Sequence, residues 1–121
     1  MEEKKILVIE DDQEVLEMLT DYLTFLGYTV TPAKDGLEGI KEIKSKLYDL
    51  VVTDLTMPFV SGVGIINVLK KDHPDIPVIA ITGYGHDAEE LARENHADLI
   101  LGKPFDIDKF KEAIIDLLSP S

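Results

Sequence analysis

The chain has 121 residues, enough for one domain with a real core, and 45% of them are hydrophobic, which argues against a disordered chain. A net charge of −12 argues against a surface built for nucleic acid or anionic membranes, and suits cations or a partner with a basic patch. Cysteine is absent, so neither a disulfide framework nor thiolate chemistry is available.

No apolar run approaches a membrane span, and residues 1–5 lack the apolar core of a signal peptide, so a cytoplasmic location is expected. Ile6-Leu7-Val8-Ile9 reads as a first strand that ends on Glu10-Asp11-Asp12. Val15, Leu16, Leu19, Leu23 and Leu26 then recur at helical spacing, and Gly27 stops that helix. The acids at its start suit its free amides and the positive end of its dipole. Tyr28-Thr29-Val30-Thr31 is a second strand, polar enough for a place near an edge. Asp35-Gly36-Leu37-Glu38 resembles a capping box, and Leu37, Ile40, Ile43 and Leu47 give the helix after it an inward face.

The third strand, Leu50-Val51-Val52, is apolar on both faces and stops at Asp54, with Met57-Pro58 barring its continuation. Ser61-Gly62-Val63-Gly64 opens a third helix with Ile65, Ile66 and Leu69 inside, and His73-Pro74-Asp75 breaks it. Val78-Ile79-Ala80-Ile81 is a fourth buried strand ending on Thr82-Gly83. A box-like start at Asp87 to Glu90 predicts a helix with a thin apolar face of Ala88, Leu91 and Ala92, hence weakly anchored. Leu99-Ile100-Leu101 is the fifth strand, closed by Gly102-Lys103-Pro104-Phe105. Asp106 caps a last helix with Ile107, Phe110, Ile114 and Leu117 inside, and residues 119–121 read as a frayed tail or linker stub. Strands alternating with helices predict a single α/β domain over 1–121: a doubly wound five-stranded parallel sheet in the order 2-1-3-4-5, flanked by five helices.

In that order Glu10, Asp11, Asp54, Thr82 and Lys103 end their strands on one edge, where open α/β sheets bind ligands. Two carboxylates ~5 Å apart at an effective dielectric of ~20 repel by roughly 3 kcal/mol, so a proton or a cation must join them. Oxygen-only ligands favour a hard ion such as Mg²⁺. Singly, each residue has a plainer reading: the acids as helix caps, Thr82 as a strand end, Lys103 as a solvated lysine. Their joint arrival on one edge favours a site.

The motifs Ile6 to Asp12, Asp49-Leu50-Val51-Val52-Thr53-Asp54-Leu55-Thr56-Met57-Pro58, Ile81-Thr82-Gly83 and Lys103-Pro104-Phe105 resemble, in order and spacing, a receiver domain of two-component response regulators. The resemblance covers essentially the whole chain. It implies a phospho-accepting signalling switch in which Asp54 takes a phosphoryl group from a sensor histidine kinase or a histidine phosphotransfer protein. It implies Mg²⁺ held by Glu10, Asp11, Asp54 and the backbone carbonyl of Thr56. Lys103 would pair with a phosphoryl oxygen, and Thr82 would be the switch hydroxyl, shifting the surface of the fifth strand and the helix before it. The downstream partner or output domain stays open, as does monomer versus phosphorylation-dependent dimer.

The chain departs from the family's pattern at three places. Ile100 stands where the family commonly has a rotating switch aromatic, so the coupling of Thr82 to the fifth strand is expected to be weaker. His96 replaces a common glycine and, like His73 and His86, is expected to have no metal or catalytic role. Thr56 and Tyr84 occupy positions that resemble tuners of the aspartyl phosphate's lifetime. Thr56 has no amide or carboxylate to hold an attacking water, and Tyr84 is bulky enough to shield the phosphoryl group, so slow self-dephosphorylation is expected. A small Mg²⁺-dependent phosphohydrolase is a second reading, disfavoured because 121 residues leave no room for a cap. The expectation is therefore a protein that catalyses only its own phosphorylation and dephosphorylation. A third reading is an interaction module of the same fold that never receives phosphate. The acids, Thr82 and Lys103 argue against it.

Overall fold

Five apolar segments pair side by side in the computed structural model, which describes residues 3–55, 57, 62–83, 90, 93, 96–103 and 106–119. They are β1 (Lys5–Ile9), β2 (Thr29–Ala33), β3 (Leu50–Asp54), β4 (Val78–Thr82) and β5 (Leu99–Gly102). All pairings are parallel and the order is β2-β1-β3-β4-β5, as the alternating pattern predicts. Four helices are described: α1 (Gln13–Phe25), α2 (Gly36–Ser45), α3 (Gly62–Asp72) and α4 (Ile107–Leu118). The expected helix between β4 and β5 falls mostly outside the described residues. Of that segment, Glu90 and Arg93 are helical.

Period-2 alternation sorts the core into two layers. Leu7 and Ile9 of β1 pack with Val51, Ile43 of α2, and Ile65, Ile66 and Leu69 of α3. Ile6 and Val8 point the other way, onto Leu16, Leu19 and Leu23 of α1 and Phe110 and Ile114 of α4. β3 and β4 are buried along their whole length, whereas β2 and β5 lie at the edges and are only partly covered. β2 runs two residues past its predicted end, through Pro32. Thr29 and Ala33 direct backbone groups at β1, so Pro32 turns its nitrogen to the open edge, where no donor is needed.

Helix ends follow the sequence. Asp12 Oδ1 accepts the amides of Glu14 and Val15, Asp35 Oδ1 that of Glu38, and Asp106 Oδ1 that of Asp108. Gly27 takes φ +102° after α1, a conformation that suits glycine. The inward face predicted for α2 needs correction. Leu37 and Leu47 are 67% and 70% exposed, and Leu47 lies beyond the helix. The buried face is Gly36, Gly39 and Ile43. α2 approaches β1 so closely that a Cβ on Gly39 would lie 2.9 Å from Ile9 Cγ1, leaving no room for a larger inward residue. Ser119, the C-cap of α4, is the last described residue.

Candidate functional site

The parallel register carries the carboxyl ends of the central strands to one edge. Ile9 pairs with Thr53, Asp54 with Ile81, and Thr82 with Gly102. Glu10 follows β1, Asp54 ends β3, Thr82 ends β4 and Lys103 follows β5. β1 and β3 are neighbours although β2 lies between them in sequence, which makes this the switch point of the sheet.

Glu10 and Asp54 are almost fully buried, at 1% and 3% exposure, while Asp11 is exposed. Carboxylate oxygens of Glu10, Asp11 and Asp54 lie within 4.8 Å of one another. Lys103 Nζ reaches between two of them, donating to Glu10 Oε1 at 2.7 Å and to Asp54 Oδ2 at 3.3 Å. Glu10 Oε2 also accepts the backbone amide of Asp12 at 3.2 Å. The neighbouring acids thus divide their tasks: Asp12 caps α1, and Glu10 turns into the crevice.

One ammonium does not balance three carboxylates. Burial first, and then a hydrogen bond shared with Asp54, push the Glu10 pKa from its ordinary 4.5 up to about 7, although Lys103 and the Asp12 amide pull it down. Burial by itself would lower the Lys103 pKa. The hydrogen bond and charge of Glu10, followed by those of Asp54, outweigh burial and raise it. Crowding of this kind is relieved either by a proton or by a cation. All the side-chain donors are hard oxygens, two buried and one open to solvent, which fits a divalent ion that keeps several waters.

Thr82 is buried at the end of β4, and its carbonyl accepts the Lys103 amide at 2.7 Å. The structure therefore brings together Glu10, Asp11, Asp54, Thr82 and Lys103 along one edge. Ile100 is elsewhere: it sits in β5, half-buried against the α3-side core. Thr56 and Tyr84 lie outside the described residues, as does His86. His96 is exposed with φ +73°, and His73 is half-buried, its Nε2 lying 3.2 Å from the Ile43 carbonyl oxygen.

Sequence reasoning missed Gly62. The first turn of α3 presses against the end of β3. The Gly62 amide donates to the Leu55 carbonyl at 3.3 Å, and a Cβ there would lie 2.6 Å from Leu55 Cα and collide with the Asp54 carbonyl. The glycine pair at 62 and 64 was the available signal, because glycine at a helix start often marks close backbone approach.

The family model described as the response regulator receiver domain matches residues 6–115. The chain is similar to the transcriptional regulatory protein GlrR of Escherichia coli (strain K12), 33% identical over 117 residues, covering 96% of this chain and 26% of that protein. It is also similar to the response regulator MprA of Mycobacterium ulcerans (strain Agy99), 36% identical over 106 residues, covering 87% and 46% of the two chains. The chain thus spans about a quarter to a half of the length of these relatives. Among solved structures, a CheY-like receiver domain protein from Methanospirillum hungatei superposes with TM-score 0.93 at 27% identity, covering 97% of this chain and 94% of that one. The response regulator TrrA from Thermotoga maritima, solved with Mg²⁺ and BeF, gives 0.87 at 35% identity, covering 95% and 99%.

Proposed function

The chain belongs to the response regulator receiver domain family, and from that premise we propose that Asp54 is its phosphoacceptor. The observation that carries this reading is the position of Lys103 Nζ between Glu10 Oε1 and Asp54 Oδ2 at the carboxyl edge of the sheet. A carboxylate oxygen of Asp54 attacks the phosphorus of a phosphohistidine on a sensor kinase or phosphotransfer protein. An O–P bond forms, the N–P bond breaks, and its electron pair returns to the imidazole. Lys103 releases one carboxylate to pair with a phosphoryl oxygen. Little else of a covalent kind is required, since phosphoryl transfer is dominated by positioning and charge neutralisation.

Glu10, Asp11, Asp54 and the backbone carbonyl of Thr56 would hold Mg²⁺. When bound, the ion supplies positive charge for the equatorial phosphoryl oxygens and relieves the repulsion among the acids. The burial of Glu10 and Asp54 fits this role, because buried carboxylates gain most from a cation.

The phosphoryl group adds nearly two negative charges and new acceptors beside Thr82. The Thr82 hydroxyl then moves toward it and draws on the segment between β4 and β5. Ile100 cannot swing a ring, so the outer surface of β5 responds less than the Thr82 loop. Thr56 and Tyr84 leave the aspartyl phosphate long-lived, on the order of minutes or more. A half-life of seconds would contradict that part, and Thr56→Asn is expected to shorten it. The protein works in the cytoplasm, as a monomer or a phosphorylation-dependent dimer, and passes its signal to an output domain or downstream protein. Among the described residues, no helix is long and apolar enough to cross a membrane.

The test is intact mass after acetyl phosphate and Mg²⁺. Gain of one phosphoryl group in the wild type and none in Asp54→Ala is expected. An equal gain in both would move the acceptor elsewhere. Turnover of p-nitrophenyl phosphate would favour a phosphohydrolase.

A further inference from the structure

Lys103 is delivered to the site by the least supported strand in the sheet. β5 has four residues, none fully buried, and among the described residues β4 is the only strand that pairs with it. Leu99 and Leu101 pack on one core layer and Ile100 on the other, so the apolar pattern of β5 would survive a one-residue slip that turns Lys103 to the opposite face.

The start of β5 is tied down by an unusual knot. The Asp98 amide donates to the Val78 carbonyl at 2.9 Å, and the Val78 amide returns a bond to Asp98 Oδ2 at 2.8 Å. The carboxylate therefore takes the place of a backbone carbonyl in the ladder. Lys70 Nζ, from the last turn of α3, donates to the same Oδ2 at 3.1 Å and to the Ile76 carbonyl at 2.9 Å. Three segments meet there: α3, the turn into β4, and the entry to β5.

An isolated exposed ion pair would contribute about 0–1 kcal/mol and locate nothing. Two features separate this one from that case. The carboxylate accepts the first amide of a fully buried strand. The ammonium is fixed in two directions, with its side chain 17% exposed.

Resting on Asp54 as phosphoacceptor, we propose that Asp98 is a positioning residue for phosphoryl transfer: its bonds to Val78 and Lys70 set the register of β5 and so place Lys103 against Asp54. Asp98 touches no reacting atom. The four residues of β5 separate it from Lys103, a rise of about 16 Å over five steps. The far end of the same strand is closed by the Lys103 amide on the Thr82 carbonyl at 2.7 Å, so that bond reports whether the register holds.

The experiment compares Asp98→Ala, Asp98→Asn, Lys103→Ala and the Asp98→Ala/Lys103→Ala double variant. It measures phosphorylation rate from acetyl phosphate, Mg²⁺ affinity and hydrogen exchange at the Lys103 amide. Asp98→Ala is expected to slow phosphorylation by about tenfold or more, since a misplacement of about 1 Å can cost about a hundredfold, while still binding Mg²⁺. Asp98→Asn keeps an acceptor for the Val78 amide and is expected to keep most of the rate. The double variant is expected to be no slower than Lys103→Ala alone, because both remove the same ammonium from the site. Faster exchange at the Lys103 amide is expected in Asp98→Ala.

Folded Asp98→Ala that phosphorylates at the wild-type rate overturns the proposal, as does a loss that multiplies with that of Lys103→Ala. If Asp98→Ala does not fold, Lys70→Met tests the same knot with the same expected direction. Exchange is read without phosphate. If the wild type accepts none, the reading of Asp54 fails, and protection of the Lys103 amide still decides the role of Asp98.

Discussion

β3 and β5 end on the same edge of the sheet, yet they are held in opposite ways. β3 is buried over all five residues, with a strand on each side and α3 pressed against its end. β5 is half-covered, pairs with β4 alone among the described strands, and is bonded to it at both ends. The difference divides labour: Asp54, the proposed phosphoacceptor, ends the fully buried strand, and Lys103 follows the half-covered one. Local stability that varies in this way is what a switch requires.

The comparison can be broken most forcefully at Gly62. Gly62→Ala puts a methyl group into the backbone of Asp54 and Leu55, and is expected to cost about 3 kcal/mol in chemical denaturation, with slower phosphorylation of whatever folds. A neutral Gly62→Ala would mean that β3 is not held rigidly at its end.

Charge at the site comes next. Asp54→Asn removes one of the crowded carboxylates and is expected to stabilise the metal-free protein by about 1–2 kcal/mol, while abolishing phosphorylation. Glu10, raised from 4.5 to about 7, gives the pH dependence. Its folded pKa lies above its unfolded value, so its favourable contribution is complete below pH 4.5 and is lost as pH rises through about 7. Mg²⁺ competes with that proton. It is therefore expected to raise Tm more at pH 8 than at pH 6, and equal shifts at both would contradict a shared proton at Glu10.

The smallest effect lies on the β5 side. His96 holds φ +73°, which costs an L-residue on the order of 1 kcal/mol. His96→Gly is expected to stabilise the protein by no more than about 0.5 kcal/mol in denaturation, after glycine's entropy cost of about 0.5–1 kcal/mol. If it destabilises the protein instead, the His96 side chain makes a contribution that outweighs its backbone strain.

Much of this was legible in the sequence because periodicity and strand-end acids speak directly to placement. Ile6 to Ile9, Leu50 to Val52 and Val78 to Ile81 announced buried strands, and the order of elements then forced Glu10, Asp54, Thr82 and Lys103 together. Two kinds of feature were not legible. Leu37 and Leu47 match a helical face in spacing, yet α2 approaches β1 through Gly36 and Gly39, and glycine carries no hydrophobic signal. The knot of Lys70, Val78 and Asp98 joins residues 20 to 28 positions apart through a side chain acting as backbone, and single-sequence patterns do not encode such a contact.

The central claim, that chemistry at the rigid end of β3 is answered along β4 and β5, is tested most directly by amide chemical shifts recorded before and after Mg²⁺ with beryllofluoride. The account predicts the largest changes at Thr82, Gly83 and Lys103, smaller ones at Ile100, and little change at Val78 and Asp98. Changes that leave Thr82 and Lys103 still, or that fall mainly on α1 and the far ends of β1 and β3, would contradict it.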